Sequence, residues 1–401
     1  MKKYNVVDLF CGAGGLSLGF LQTGRFKIVG AMDNWEPAID TFRYNHPHSL
    51  VSPESIILSD ASIIESGDFE KKLRPQWESQ GKVDVIVGGP PCQGLSLAGK
   101  RLSNDSRNQL FKLFVSAVNK LKPQVFIMEN VPGLLSMQSG LLNQAIIDSF
   151  KSIGYNSFTA HIPTILKSED YGVPQLRRRL FYVGFRDSEV ATNFVWPPPP
   201  THRLRDQPLN NDSAKQLGFD MEINQESLLF VPTVKEAISD LPVISSGEGE
   251  DEMEYSVIET NLSNYQILMR KPVEFREYKV FNHEAPRHTE KLISLIKKAK
   301  IGDSVDPKYT DSKKWDPNKP GFTVKALGSG GGSTNRRAFH YDDMTPRGST
   351  VRENARIQSF PDWYRFIGPK THQMTQVGNA VPPLMAQAVA KSTYIALDKN
   401  V

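Results

Sequence analysis

Short apolar runs, each ending on a polar or glycine-rich corner, punctuate the first half of the chain. They cover Tyr4 to Phe10, Ile28 to Met32, Ile56 to Leu58, Val83 to Val87 and Val125 to Met128. Runs this short, bounded by turn residues, predict buried strands. Between them the apolar period changes. From Asn108 to Leu121, the residues Leu110, Phe111, Phe114, Val118 and Leu121 recur at helical spacing and predict a helix with one inward face. Strands alternating with helices predict an α/β fold around a parallel sheet, in which ligands collect beyond the carboxyl ends of the strands. Phe10, Asp33, Asp60, Cys92 and Glu129 each fall just past a predicted strand end, so the sheet would gather them on one rim.

Near residue 190 this rhythm stops. Pro197 to Pro200 form a stiff run after a further predicted strand, Phe181 to Phe185, and mark an exit from the first domain. A helix from about Pro383 implies a return to it. The expected organisation is therefore 1–190 plus 371–401 as one domain and 191–370 as a second, smaller and irregular one, with a cleft between them. The second carries basic clusters at Arg203 and Arg205, at Lys297, Lys298 and Lys300, at Lys313 and Lys314, and at Arg336 and Arg337 after the Gly328 to Ser333 loop. Its acidic run, Glu248, Glu250, Asp251, Glu252 and Glu254, is expected to face solvent.

Composition narrows the picture only slightly. A chain of 401 residues can hold two domains. The net charge of +4 permits a nucleic acid partner without demanding one, so local basic clusters matter more. The two cysteines, Cys11 and Cys92, sit in separate corners and suit a reducing, cytosolic setting rather than a disulfide framework. The first residues run straight into a predicted strand, so no secretion signal is expected, and no apolar stretch is long enough to cross a membrane.

Two corners carry candidate chemistry. Asp8-Leu9-Phe10-Cys11-Gly12-Ala13-Gly14-Gly15-Leu16-Ser17 is a glycine-rich strand-to-helix turn that lets a ligand approach the backbone closely. It lacks the Gly-Lys-Ser/Thr of a phosphate loop and the full three-glycine dinucleotide fingerprint, which favours a cofactor without a pyrophosphate. Asp33 is placed for ribose hydroxyls and Asp60 for an adenine amino group. The second pair is Cys92, in Gly88-Gly89-Pro90-Pro91-Cys92-Gln93, and Glu129, in Glu129-Asn130-Val131. Carbon 5 of cytosine is a poor nucleophile until electrons enter the ring from carbon 6. A cysteine thiolate can add there, and a carboxyl group at N3 eases the addition.

In these motifs the chain resembles the DNA cytosine C5-methyltransferases of the bacterial modification type. Eight blocks occur in the family's order: DLFCGAGGLSLGF from Asp8, MDNWEPAIDTFRYNHP from Met32, GGPPCQGLSLAGKR from Gly88, DSRNQLF from Asp105, ENVPGLL from Glu129, YGVPQLRRRLFYVGFR from Tyr171, TVRENARIQSFPDWYRF from Thr350 and QVGNAVPP from Gln376. The resemblance implies a Rossmann-like methyltransferase sheet, with 1–190 plus 371–401 as the catalytic domain and 191–370 as a target recognition domain. It implies S-adenosyl-L-methionine as cofactor, held by Phe10, Gly12, Ala13, Gly14, Leu16, Asp33, Asn34, Trp35, Asp60, Ala61, Pro90 and Asn379. Cys92 matches the nucleophile, Glu129 the acid at N3, and Arg177 and Arg179 the Gln-x-Arg-x-Arg block, with Arg179 favoured for the base contact. Asn130 is expected to hold the loop backbone. Gln93, Ser96, Arg101, Arg336 and Arg337 are implied DNA contacts, and no metal is implied.

The implied partners are double-stranded DNA, whose target cytosine must leave the stack, and a restriction endonuclease acting on the same site. A monomer is expected. Two departures, Ser349 before Thr350 and Asn354, fall at structural positions of the penultimate block. That block is expected to form a bracing helix over Thr350 to Phe366, with Arg352, Glu353 and Arg356 as its polar face and Ile357 and Phe360 inward. Competing readings are an RNA cytosine methyltransferase, whose Cys-Phe-Thr signature is absent, and a non-catalytic DNA-binding relative. A cysteine hydrolase is disfavoured because no histidine accompanies Cys92.

Overall fold

The computed structural model describes residues 2–47, 51–91, 110–155, 163–207, 227–255, 261–306, 312–326 and 338–398, without the side chains of residues 74 and 76–80. Cys92, Gln93, Ser96, Arg101, Arg336 and Arg337 lie outside the described residues. The chain divides into two compact units: residues 1–167, 178–199 and 386–401 form one, and residues 168–177 and 200–385 the other.

The first unit is an α/β sheet. Its strands are β1 (Tyr4–Leu9), β2 (Phe26–Asp33), β3 (Ile56–Leu58), β4 (Val85–Gly88), β5 (Val125–Asn130), β6 (Thr164–Lys167) and β8 (Arg178–Phe185); β7 (Gln175–Leu176) belongs to the second unit. They lie in the order β3-β2-β1-β4-β5-β8-β6. The first five are mutually parallel, and β8 runs antiparallel to both β5 and β6. The parallel connections are made by α1 (Gly15–Gln22), α2 (Glu36–Asn45), the short α3 (Ile63–Ser66) with α4 (Asp68–Gln80), and α5 (Leu110–Leu121). The chain builds outward from β1 to β3, then returns to place β4 on the other side of β1, so the order reverses between β1 and β4. In open parallel sheets such a switch point leaves a crevice beyond the strand ends.

β1 and β5 are buried along their whole length, as a strand covered on both faces must be. The expected helix is present as α5, and Phe111, Phe114 and Val118 are its buried stripe. Phe114 meets the core cluster through Phe126 and Phe150, whose rings stack with centroids 3.8 Å apart. Gly184 on β8 has to be glycine: a Cβ there would stand 2.1 Å from the Phe126 ring. Several strand ends differ from expectation: β2 starts at Phe26 and takes in Asp33, and β4 covers Val85 to Gly88. β5 continues two residues past Met128, because β8 extends its ladder through Phe181 and Leu180. Glu129 is therefore gripped inside a strand rather than standing beyond one.

The second unit holds its shape with charge as much as with apolar contact. The expected long helix is confined to Val351–Ile357, and all seven of its residues are buried. Its start is a capping box: Thr350 N–H donates to Glu353 Oε2 at 2.8 Å and Glu353 N–H to Thr350 Oγ1 at 3.1 Å. The residues expected as a polar face are buried, each with partners. Arg347 grips Glu353 at 2.6 and 2.9 Å. Arg356 reaches Asp240 at 2.5 Å and Asp362 at 2.6 Å. Arg352 donates to the carbonyls of Phe281 and Pro361 at 2.7 and 2.9 Å. Buried charges persist only when paired and hydrogen-bonded in this way. Lys314, expected in a surface cluster, is likewise buried against Asp343 and the carbonyl of Ile296. The acidic strand Gly249–Met253 is mostly exposed, but Asp251 and Glu252 are both held by Arg365.

Candidate active site

In the first unit the rim of the sheet collects two groups of residues at neighbouring strand ends. The first follows β1. Phe10 (φ 57°) and Gly12 (φ 53°) both take left-handed backbone, which turns the chain sharply after the strand. Gly14, also left-handed, starts α1, and its N–H donates to Cys11 O at 2.9 Å. Asp33, the last residue of β2, reaches across: Gly12 N–H donates to Asp33 Oδ2 and Trp35 N–H to Oδ1, each at 2.9 Å. Burial pushes the Asp33 carboxyl upward, opposed by hydrogen bonds from the backbone N–H groups of Trp35, Gly12 and Asn34. Ser59 N–H, at the end of β3, donates to Asp33 O at 3.0 Å, which draws the Asp60 corner to the same place. Asp60 is exposed and caps its own turn through Ser62 N–H, Asn34 is exposed, and Ala13, Leu16 and Ala61 are buried. Where a Gly12 side chain would project, no atom of the described residues stands within 4 Å. That open space beside the Asp33 carboxylate fits a nucleoside-bearing cofactor.

Beneath this loop sits a carboxyl that sequence reasoning did not single out. Asp8 is fully buried, accepts from Ser17 Oγ at 2.6 Å, and its other oxygen has no partner among the described residues. Burial lifts it to about 7, against the Ser17 hydrogen bond, which lowers it. The neighbouring Cys11 thiol is pushed up by burial and by the Asp8 and Asp33 charges, which disfavours its nucleophilic thiolate form. An aspartate inside an otherwise apolar strand run was the available signal.

The second group follows β4. Leu9 and Gly88 pair across β1 and β4 so closely that a Cβ on Gly88 would stand 2.1 Å from Leu9 O. Gly89 lies against Glu129, 2.8 Å separating the position of a Cβ from Oε2. Asn130 Nδ2 donates to Pro90 O at 2.9 Å and fastens the same turn. Glu129 Oε1 accepts from Arg179 Nε at 2.7 Å, and both side chains are about nine-tenths buried. Burial lowers the Arg179 guanidinium, and the Glu129 carboxylate opposes that. Glu129, Arg179, Asn130 and Pro90 thus form one cluster, and Cys92 follows Pro91 directly in sequence.

Arg177 and Asn379 belong to the second unit. Arg177 is fully buried and holds main chain, donating to Val324 O and Gly378 O at 2.8 Å and Ala380 O at 3.0 Å. Asn379 is exposed at the end of the helix Lys370–Asn379. Gly378 beside it tolerates no side chain, since a Cβ would stand 2.3 Å from Ala326 N.

Residues 4–394 match the model of the C-5 cytosine-specific DNA methylases. The chain belongs to that family. It is a DNA (cytosine-5-)-methyltransferase. Among similar proteins are the type II methyltransferase M.DdeI of Desulfomicrobium norvegicum, 36% identical over 96% of this methylase and 88% of the relative, and M.AgeI of Thalassovita gelatinovora, 33% identical over 98% and 99%. A solved structure of a DNA modification methyltransferase encoded within a prophage of Escherichia coli superposes with a TM-score of 0.74, at 26% identity over 99% of this methylase and 100% of that chain. The Dnmt2 methyltransferase of S. pombe shares the fold, with a TM-score of 0.56 at 16% identity over 98% of each chain. The sheet is thus that of the methyltransferases. No helix among the methylase's described residues is long and apolar enough to cross a membrane.

Proposed function

We propose that this methylase transfers a methyl group from S-adenosyl-L-methionine to carbon 5 of a cytosine swung out of duplex DNA, through a covalent bond between Cys92 and carbon 6. The observation that supports this most is the Glu129–Arg179 pair against the Gly89–Pro90 turn, two residues before Cys92 in sequence. Phe10, the Gly12 to Leu16 loop, Asp33 to Trp35, Asp60, Ala61 and Pro90 supply the cofactor contacts. When bound, S-adenosyl-L-methionine supplies an electrophilic methyl group on a sulfonium whose sulfur leaves neutral.

The chain's own residues do the rest. The Cys92 thiolate adds to C6, and the displaced ring electrons are drawn toward N3, where the Glu129 carboxyl delivers a proton or hydrogen bond. C5, now enamine-like, takes the methyl group. A base, water included, removes the C5 proton; the electron pair re-forms the C5–C6 double bond and expels the thiolate, and N3 returns its proton to Glu129. Arg179 holds Glu129 and contacts the base at O2, while Arg177 positions the segment that precedes it. Extrusion is required because C5 and C6 are unreachable within the stack.

Residues 191–370 form the target recognition domain in this proposal, with Arg336 and Arg337 on DNA, and Gln93, Ser96 and Arg101 contact DNA from the nucleophile loop. The protein works as a monomer in the bacterial cytosol, paired with an endonuclease of the same site, as the type II names of its relatives suggest. Bisulfite sequencing of DNA from cells expressing the protein should show one short motif protected at a single cytosine, and DNA from cells expressing Cys92→Ser should not. Protection persisting at an ordinary level in Cys92→Ser would exclude the covalent route.

A further inference from the structure

In the second unit, strands β9 (His202–Arg203) and β10 (Leu229–Phe230) pair in parallel. Leu229 N–H donates to Thr201 O at 3.1 Å and Val231 N–H to Arg203 O at 3.0 Å. The pair is fastened to the segment that carries Arg177. Thr201 N–H donates to Asp170 O at 2.8 Å, and the His202 ring covers Gly172, where a Cβ would stand 2.6 Å from Cε1.

The surface this small sheet presents is poorly explained by folding. Leu229 is 62% exposed and Phe230 46%. The guanidinium groups of Arg203 and Arg205 lie 4.4 and 5.5 Å from the centroid of the Phe230 ring. Arg205 is neutralised by Glu236, with two hydrogen bonds at 2.8 and 3.0 Å. Arg203 is not: among the described residues no carboxylate pairs with it, and its Nε, though buried, has no acceptor. An aromatic ring left half in water buries too little area for the stack to act as a core contact. A guanidinium stacked by its face keeps its in-plane N–H groups for an anion, and phosphate is the anion whose oxygens match that fork. A flat exposed ring beside it suits a sugar or base face.

We propose that Arg203, with Phe230 and Leu229, is a DNA-backbone contact: the guanidinium takes a phosphate and the apolar pair packs on the adjoining sugar. The inference rests on the DNA-methylating reading above and adds residues to it. Arg205, already paired with Glu236, buttresses the ring.

The test is fluorescence anisotropy of the full chain on two duplexes, one bearing the motif found by bisulfite sequencing and one of random sequence, over a series of salt concentrations. Arg203→Met should weaken binding on the order of tenfold on both duplexes and flatten the slope of log K against log salt by about one. S-adenosyl-L-methionine affinity should stay unchanged, which certifies the fold. Phe230→Ala should weaken binding, Phe230→Tyr should not, and Arg205→Met should alter the slope less than Arg203→Met does. Should Arg203→Met fail to fold, Arg203→Lys, which keeps the charge, is expected to keep the slope. An unchanged slope in a folded Arg203→Met overturns the proposal and leaves the ledge to a protein partner. A loss confined to the motif duplex overturns the backbone assignment. Absence of methylation by the wild-type chain would instead defeat the reading on which this one rests.

Discussion

The pair formed by Glu129 and Arg179 offers the sharpest perturbation. At 2.7 Å and an effective dielectric of about 20, the gross attraction is roughly 6 kcal/mol. Desolvation offsets much of it, since burial lowers the Arg179 guanidinium despite the carboxylate beside it. Truncating one partner should still cost about 3 kcal/mol, because the other charge is left buried and unpaired. Arg179→Met and Glu129→Gln should therefore each lower stability, while the double variant loses less than the sum by about 2 kcal/mol. Activity should behave differently. Each single variant should lose on the order of a hundredfold or more in kcat, and the double variant should regain none of it. The KM for S-adenosyl-L-methionine should change far less than kcat, since Phe10, Gly12 and Asp33 belong to the other group of rim residues and only Pro90 is shared with this one. Denaturant unfolding of the four proteins, with kcat and KM from labelled methyl transfer to duplex DNA, measures all of this. Additive stabilities, or recovered turnover in the double variant, would show that the two side chains do not act as a unit.

Two further outcomes follow from the strand ends. Gly88→Ala places a Cβ 2.1 Å from the Leu9 carbonyl, an atom that cannot swing away, so it should cost about 3 kcal/mol or more; Gly12→Ala, with open space but φ 53°, should cost only about 1 kcal/mol and weaken cofactor binding instead, and comparable melting points for the two would contradict this. Asp8→Asn tests the buried carboxyl. Its folded value, about 7, lies above the ordinary 3.8, so the stability tied to its proton is full below pH 4 and is lost as the pH rises toward 7. Asp8→Asn, measured by thermal melting, should therefore gain on the wild type between pH 4 and 8, and a gap that stays constant across that range would count against a buried proton.

Much of the first unit was legible because its strands are continuous apolar runs ending at glycine or acidic corners, and the crossover α5 carries a clean helical stripe. What escaped notice depends on pairing across long sequence distances. The two-residue extension of β5 comes from β8, far along the chain, so Glu129 read as lying beyond a strand when it is inside one. Arg352, Glu353 and Arg356 read only as a polar face because the partners that let them be buried, among them Asp240, Arg347 and Asp362, are scattered over unrelated segments. Only Thr350 and Glu353, at capping-box spacing, hinted at local order. Lys314 beside Lys313 looked like a surface cluster for the same reason: Asp343, which permits its burial, is invisible in a charge count. The candidate site was readable in its motifs. Its support was not, since Asp8, Gly88 and Gly378 act through contacts no spacing reveals.

The ten residues from Ser168 to Arg177 give the second unit an interrupted blueprint, and that limits how its specificity can be re-engineered. Gln175 pairs with Gly321 and its side chain reaches Ile357 O at 3.1 Å, while Arg177 secures Val324 and Gly378. A chimera that transplants only 200–385 from a relative would seat foreign loops on a resident clasp cut for other ones. Swaps that carry both stretches together, at the cost of extra junctions, respect the way this half of the molecule is assembled.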